Sequence, residues 1–108
     1  MTTVYSDDDL FEWDHQKDLK NKRTHGVSFG LARLIYYDPN VFTGEMYFIS
    51  EEDRFDTLGI VPESTIVLRV THVSVQDGDT DRIRIISARK ADTKECKKYY
   101  DEITYKQF

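Results

Sequence analysis

The sequence predicts an α+β fold, with helices packed on an antiparallel sheet. Three observations predict it. Before Pro39, apolar residues recur at helical spacing behind residues that cap helices well. From Arg54 to Ala88 they alternate with polar residues, in runs rich in valine, isoleucine and threonine. After Asp92 a helical stripe returns. At 108 residues the chain has room for one core, so residues 1–108 read as a single domain. Within it, 1–9 read as a flexible N-terminal extension and 10–105 as the folded unit.

Leu10-Phe11-Glu12-Trp13 alternates and suits a short strand. Asp14 is placed to cap a helix from about His15 to Thr24, and Gly26 supplies the freedom that a helix stop needs. Ser28 caps a second helix, about Phe29 to Tyr37, in which Phe29, Ala32 and Ile35 or Tyr36 recur. Asp38-Pro39 ends it, because proline disfavours helix in the residue before it. Met46 to Ile49 fits a strand or an apolar loop equally. Arg54–Ile60, Thr65–Val75 and Arg82–Ala88 form a three-stranded antiparallel meander. Asp77-Gly78 marks the last hairpin, with a connection longer than two residues. Asp92 and Glu95 make a capping box for a C-terminal helix running to about Ile103. Its stripe is Cys96, Tyr99, Tyr100 and Ile103, which makes Cys96 a core residue rather than a nucleophile.

Composition excludes several classes. An aromatic content of 13% and the β-branched runs argue against a disordered chain. No apolar run is long enough to span a membrane, and the first residues lack the basic start and apolar segment of a secretory signal. The single cysteine, Cys96, forms no internal disulfide and suits a reducing, cytoplasmic setting. Twenty acids against fifteen bases give a net charge of -5, the wrong sign for a nucleic-acid binder.

Position matters more than the total. Residues 38–64 hold seven acids and one base, whereas residues 82–98 hold seven bases and two acids. The run Arg82-Ile83-Arg84-Ile85 places the two isoleucines on one face of a strand and the two arginines on the other. Guanidinium groups held by a rigid strand suit phosphate, and Arg89 stands where the strand meets the last helix. The competing reading pairs these arginines with the acidic middle, for example Glu52 or Asp56.

His25 follows the first helix beside Lys22 and Arg23, and histidine can serve as acid or base near neutral pH. His15 and His72 read as ordinary histidines. Three scattered histidines and one cysteine make no zinc pattern. A calcium loop counted from Asp77 fails at its sixth and twelfth positions, Arg82 and Ala88. No metal and no cofactor are expected.

Several blocks together resemble the BrnT family of toxins. They are Phe11-Glu12-Trp13-Asp14, Lys17, Asn21, His25-Gly26-Val27-Ser28-Phe29, Ala32, Asp38-Pro39, Asp53-Arg54-Phe55, Gly59 and Arg84-Ile85-Ile86-Ser87-Ala88-Arg89. The similarity runs from about Leu10 to Tyr100. It implies a RelE-like fold, a ribonuclease that arrests growth, and a cognate BrnA-like antitoxin in a bacterial type II toxin–antitoxin system. The antitoxin would supply the DNA contact, so DNA is reached only indirectly. One departure is the acidic turn Asp77, Asp79 and Asp81, where the family often carries an arginine.

The expected reaction is metal-independent RNA cleavage, with the 2′-hydroxyl as nucleophile. The general base is His25 or Glu52. Arg54, Arg84 and Arg89 hold the phosphate, and Tyr100, or Tyr99 in another helix rotation, orients or stacks on the substrate. Lys17, Lys22, Arg82 and Lys90 are the further RNA-binding candidates. The alternative is a catalytically weak or inactive member that acts as an antitoxin-binding partner in a DNA-bound complex.

Overall fold

The computed structural model describes residues 2–106. Strand β1 (Thr3–Tyr5) and strand β2 (Phe11–Asp14) precede helix α1 (His15–His25). The short helix α2 (Phe29–Ala32) runs into a 3-10 turn over Arg33–Tyr37. Strands β3 (Phe42–Thr43), β4 (Tyr47–Ile49), β5 (Glu52–Ile60), β6 (Val67–Asp77) and β7 (Thr80–Lys90) lead to helix α3 (Thr93–Lys106).

Local chemistry sets the helix ends where expected. The Asp14 carboxylate accepts from the Lys17 amide at 3.1 Å, and Gly26 adopts a φ of 73° while donating to the Lys22 carbonyl. The Ser28 hydroxyl accepts from the Leu31 amide at 3.2 Å. Asp92 and Glu95 form a reciprocal capping box, with amide-to-carboxylate distances of 2.8 and 2.9 Å. The second helix keeps α geometry only to Ala32, then tightens to 3-10 toward the Asp38-Pro39 stop.

The sheet is larger than a three-stranded meander. Among the described residues seven strands lie in the order β1-β2-β7-β6-β5-β3, with β4 also on β5. Strand β2 runs parallel to β7, placing Glu12 opposite Arg84. Within residues 1–9, read from sequence as a flexible extension, Thr3–Tyr5 forms β1 and pairs with β2. The β6–β7 connection is also tighter than expected. Asp77 pairs with Thr80, leaving a two-residue loop in which Gly78 takes a φ of 63°.

Alternation along β6 gives the sheet two faces. Leu68 and Val70 join Phe11, Trp13, Val27, Phe29, Ala32, Ile35, Ile85 and Ala88 in a core beneath α1 and α2. Val67 points the other way, joining Leu58 and Tyr99 in a smaller core beneath α3, with Cys96 packed alongside. Asp38 ties the two layers together. Its carboxylate accepts from the Ile60 amide at 2.9 Å and from the Tyr99 hydroxyl. Gly59 is required nearby, since a Cβ there would sit 2.9 Å from the Ile35 Cβ and 3.0 Å from its carbonyl oxygen.

Candidate functional site

Three cross-strand rows cover the α3 side of the sheet. The first reads Tyr47, Arg54, Val73, Arg84 and Glu12; the second reads Asp56, Thr71 and Ser87; the third reads Leu58, Arg69 and Arg89. Paired residues on neighbouring strands share a face, and so do residues two apart along one strand. Arg54, Arg69, Arg84 and Arg89 therefore lie on one surface. The outer rows are about 13 Å apart along the strands, at roughly 3.3 Å per residue.

A β-bulge is what gathers these arginines. The register shifts between Thr71 and His72, which pair with Ser87 and Ile85, and this leaves Ile86 as the extra residue. Under strict alternation Arg89 would follow Ile83 and Ile85 onto the helix-packed face. The bulge turns Arg89 over to join Arg84, while Ile85 and Ala88 both remain in the core.

Each of the four arginines faces a carboxylate. Arg84 reaches the buried Glu12, and Arg54 reaches Glu52 at 3.2 Å. Arg69 lies 3.7 Å from Asp56. Arg89 grips Glu95 with two hydrogen bonds of 2.7 and 3.2 Å, which pushes the Arg89 pKa upward. Asp56 also accepts from Tyr47 at 2.9 Å and from Thr71 at 2.7 Å. Burial, followed by the hydrogen bond to Asp56, pushes the Tyr47 hydroxyl pKa up. A guanidinium has five donors, so one carboxylate does not exhaust it. The buried Nε atoms of Arg54 and Arg69 have no hydrogen-bond partner among the described residues.

Two grooves open on this surface. One, of about 530 Å³, is lined by Met46, Glu52, Val73 and Arg84 among others. The other, of about 200 Å³, lies toward α3 between Phe42, Asp56, Arg69 and Glu95. Among the described residues no cluster of three or more metal-ligating side chains forms. Guanidinium groups on this surface are suited to anions, and carboxylates stand beside them.

Not every sequence candidate lies here. His25 sits at the end of α1, in a groove with Lys17, Lys20, Thr24 and Ile86 that shares no residue with the two arginine grooves. Lys22 is exposed on α1, and Lys90 borders a fourth groove beside Val27 and Leu31. The Arg82 guanidinium is held by Asp9 and Asp77 and lies over the Tyr5 ring at 5.0 Å, so it fastens the N-terminal segment instead of facing a ligand. Tyr99 is buried and committed to Asp38, which leaves Tyr100 as the exposed tyrosine of the pair. Tyr100 packs edge-on against Tyr99 and lines neither arginine groove. Sequence reasoning missed Arg69 and Tyr47. The alternation of Arg69 and Thr71 with apolar Leu68 and Val70 was the signal available for Arg69.

A family model described as the ribonuclease toxin BrnT, of type II toxin–antitoxin systems, matches residues 13–95. The chain belongs to the BrnT family. A comparison with curated proteins finds no match. The matched span includes all four arginines of the two outer rows, although Glu12 lies just outside it. As a BrnT toxin, the chain has RNA as its substrate class and an antitoxin as its partner. No helix among the described residues is long and apolar enough to cross a membrane.

His72 has a structural role in this BrnT chain. It is buried, stacks on Phe55 and lies 2.6 Å from the Tyr36 hydroxyl through Nδ1. Burial lowers its pKa below the usual 6.5. The unfolded chain therefore takes up the proton first, and folding stability is complete above pH 6.5 but falls as pH drops below it. Chemical denaturation between pH 7.5 and 5.5 should show this loss, at no more than about 1.4 kcal/mol per pH unit. His72→Gln should flatten the profile; an unchanged profile would remove His72 as the cause.

Proposed function

We propose that this toxin is a cytoplasmic, metal-independent endoribonuclease whose RNA site is the arginine surface of the sheet. The observation that carries this reading is the placement of Arg54, Arg69, Arg84 and Arg89 around the Asp56–Thr71–Ser87 row. The scissile phosphate lies between that row and the Arg54–Arg84 pair, at the end of the groove that Glu52 borders, with Arg69 and Arg89 extending toward it from the α3 side. Glu52, which pairs with Arg54 and borders the groove containing Arg84, takes the 2′-hydroxyl proton. The 2′ oxygen then attacks phosphorus as the P–O5′ bond breaks, and the 5′ oxygen takes a proton from solvent water, leaving a 2′,3′-cyclic phosphate and a 5′-hydroxyl. The guanidinium groups stabilise the extra charge on the crowded phosphorane. Glu52 is favoured over His25 as base because His25 borders a different groove. We assign the domain a RelE-like architecture, with operator DNA contacted through a BrnA-like antitoxin.

The test uses purified protein and a single-stranded RNA, with a chelator present. Cleavage to cyclic-phosphate ends should persist. It should fall by roughly 10²–10⁴-fold in Glu52→Gln, the range for loss of a general base, and stay unchanged in His25→Ala. The opposite pattern in these variants would transfer the base role to His25. A folded wild-type protein that leaves RNA intact would favour the inactive, antitoxin-binding alternative.

A further inference from the structure

The outer edge of the sheet at β4 departs from the usual protection of edge strands. Met46, Tyr47, Phe48 and Ile49 are consecutive, apolar and 56, 38, 68 and 49% exposed. Strand β4 pairs with β5, and no strand is paired with its other edge among the described residues. Ser50 and Glu51 both take positive φ, 52° and 65°, as a two-residue type I′ hairpin requires. Ile49 and Glu52 flank that loop as a hydrogen-bonded pair. The next pair, Phe48 and Asp53, is of the other kind, so the Phe48 N–H and C=O face outward. Edge strands are normally blunted by lysine, proline or a bulge, and a contiguous exposed apolar patch marks an interface.

Charge selects the occupant. Glu45, Glu51 and Asp53 border the strand. A second copy of this edge would set these carboxylates against one another, and RNA phosphates would meet the same repulsion. A segment that alternates apolar with lysine or arginine side chains satisfies both the apolar surface and the acids. We propose that the free edge of β4 receives such an extended, basic segment of a partner protein as an added strand. The antitoxin of the type II system is the chain expected to carry it.

The position also explains neutralisation, a consequence that rests on the proposed RNA site. Strand β4 lies directly on Glu52, Asp53 and Arg54, and Met46 borders the groove that contains Glu52 and Arg84. A strand laid on β4 would cover the mouth of that groove.

The test is selection of random peptides displayed against the full chain, followed by amide hydrogen exchange. Enriched peptides should alternate apolar and basic residues and slow exchange at Phe48. Charge reversal by Glu51→Lys or Asp53→Lys should weaken them by up to about fivefold each. Enriched peptides without that pattern, no enrichment, or binders that leave Phe48 exchange unchanged would overturn the proposal. Protection of Phe48 by single-stranded RNA or by dimerisation of the chain would overturn it equally. None of these readings depends on cleavage, so loss of the proposed RNA site leaves the docking result standing. Peptides that bind β4 without slowing cleavage would remove only the neutralisation step.

Discussion

Asn21→Leu should destabilise the fold by roughly 3–4 kcal/mol, the cost of leaving three buried polar groups unpaired at about 1 kcal/mol each. Strand β2 ends at Asp14, and its last pairing with β7 is Trp13 to Ile85. Beyond that point β7 has no strand on this side among the described residues, and the buried Asn21 takes a strand's place. Its side-chain amide donates to the Ala88 carbonyl at 2.7 Å and accepts from the Ala88 amide at 3.1 Å. It also donates to the Val27 carbonyl at 2.9 Å, locking the turn after α1. Leucine fills the space but pairs none of these groups. For a domain near 100 residues the expected fall in Tm is roughly 10–30 °C. Asn21→Asp keeps an acceptor for Ala88 but turns a carboxylate toward two carbonyls, so it should fail as well. A Tm within a few degrees of wild type for both variants would show that α1 is held by other contacts.

Arg89→Ala should reduce RNA cleavage by roughly 10²–10³-fold, as when one preorganised donor to a developing charge is removed. Arg89 is the cleanest arginine to remove, because its partner Glu95 can turn toward solvent and still cap α3 through the Asp92 amide. Arg84→Ala is expected to lose as much cleavage but to carry a stability cost. It strands Glu12, which is 6% exposed, and breaking a buried pair costs about 3–5 kcal/mol. Arg84→Lys separates the two effects, since lysine keeps the charge but not the planar fork. Arg82→Ala should leave cleavage unchanged, because Arg82 lines neither arginine groove and is held against Asp9, Asp77 and Tyr5. Full activity in Arg89→Ala, with folding intact, would remove Arg89 from the site.

Local signals carried much of the fold. Asp14, Gly26, Ser28, Asp92 and Glu95 act within three or four residues of their partners, so their roles were readable before any tertiary contact was known. The three long strands were legible from alternation. Pairings between distant segments were not. Nothing local to Phe11–Asp14 says that it lies parallel to β7, or that Thr3–Tyr5 completes that edge. The family blocks marked Asn21 and Arg89 without explaining them. Asn21 acts across 67 residues on Ala88, and Arg89 reaches the arginine surface only through the bulge at Ile86. The opposing readings of the arginines, phosphate site or ion pairs, are both represented in the geometry. Each arginine holds a carboxylate, and the Nε atoms of Arg54 and Arg69 have no hydrogen-bond partner among the described residues.

The most direct measurement is a nuclear magnetic resonance footprint of a single-stranded RNA made uncleavable by a 2′-deoxy substitution at the scissile position. An RNA site on the arginine surface predicts shifts concentrated at Arg54, Arg69, Thr71, Ser87 and Arg89. Shifts centred instead on Lys17, Lys22 and His25, with the arginine rows silent, would contradict it.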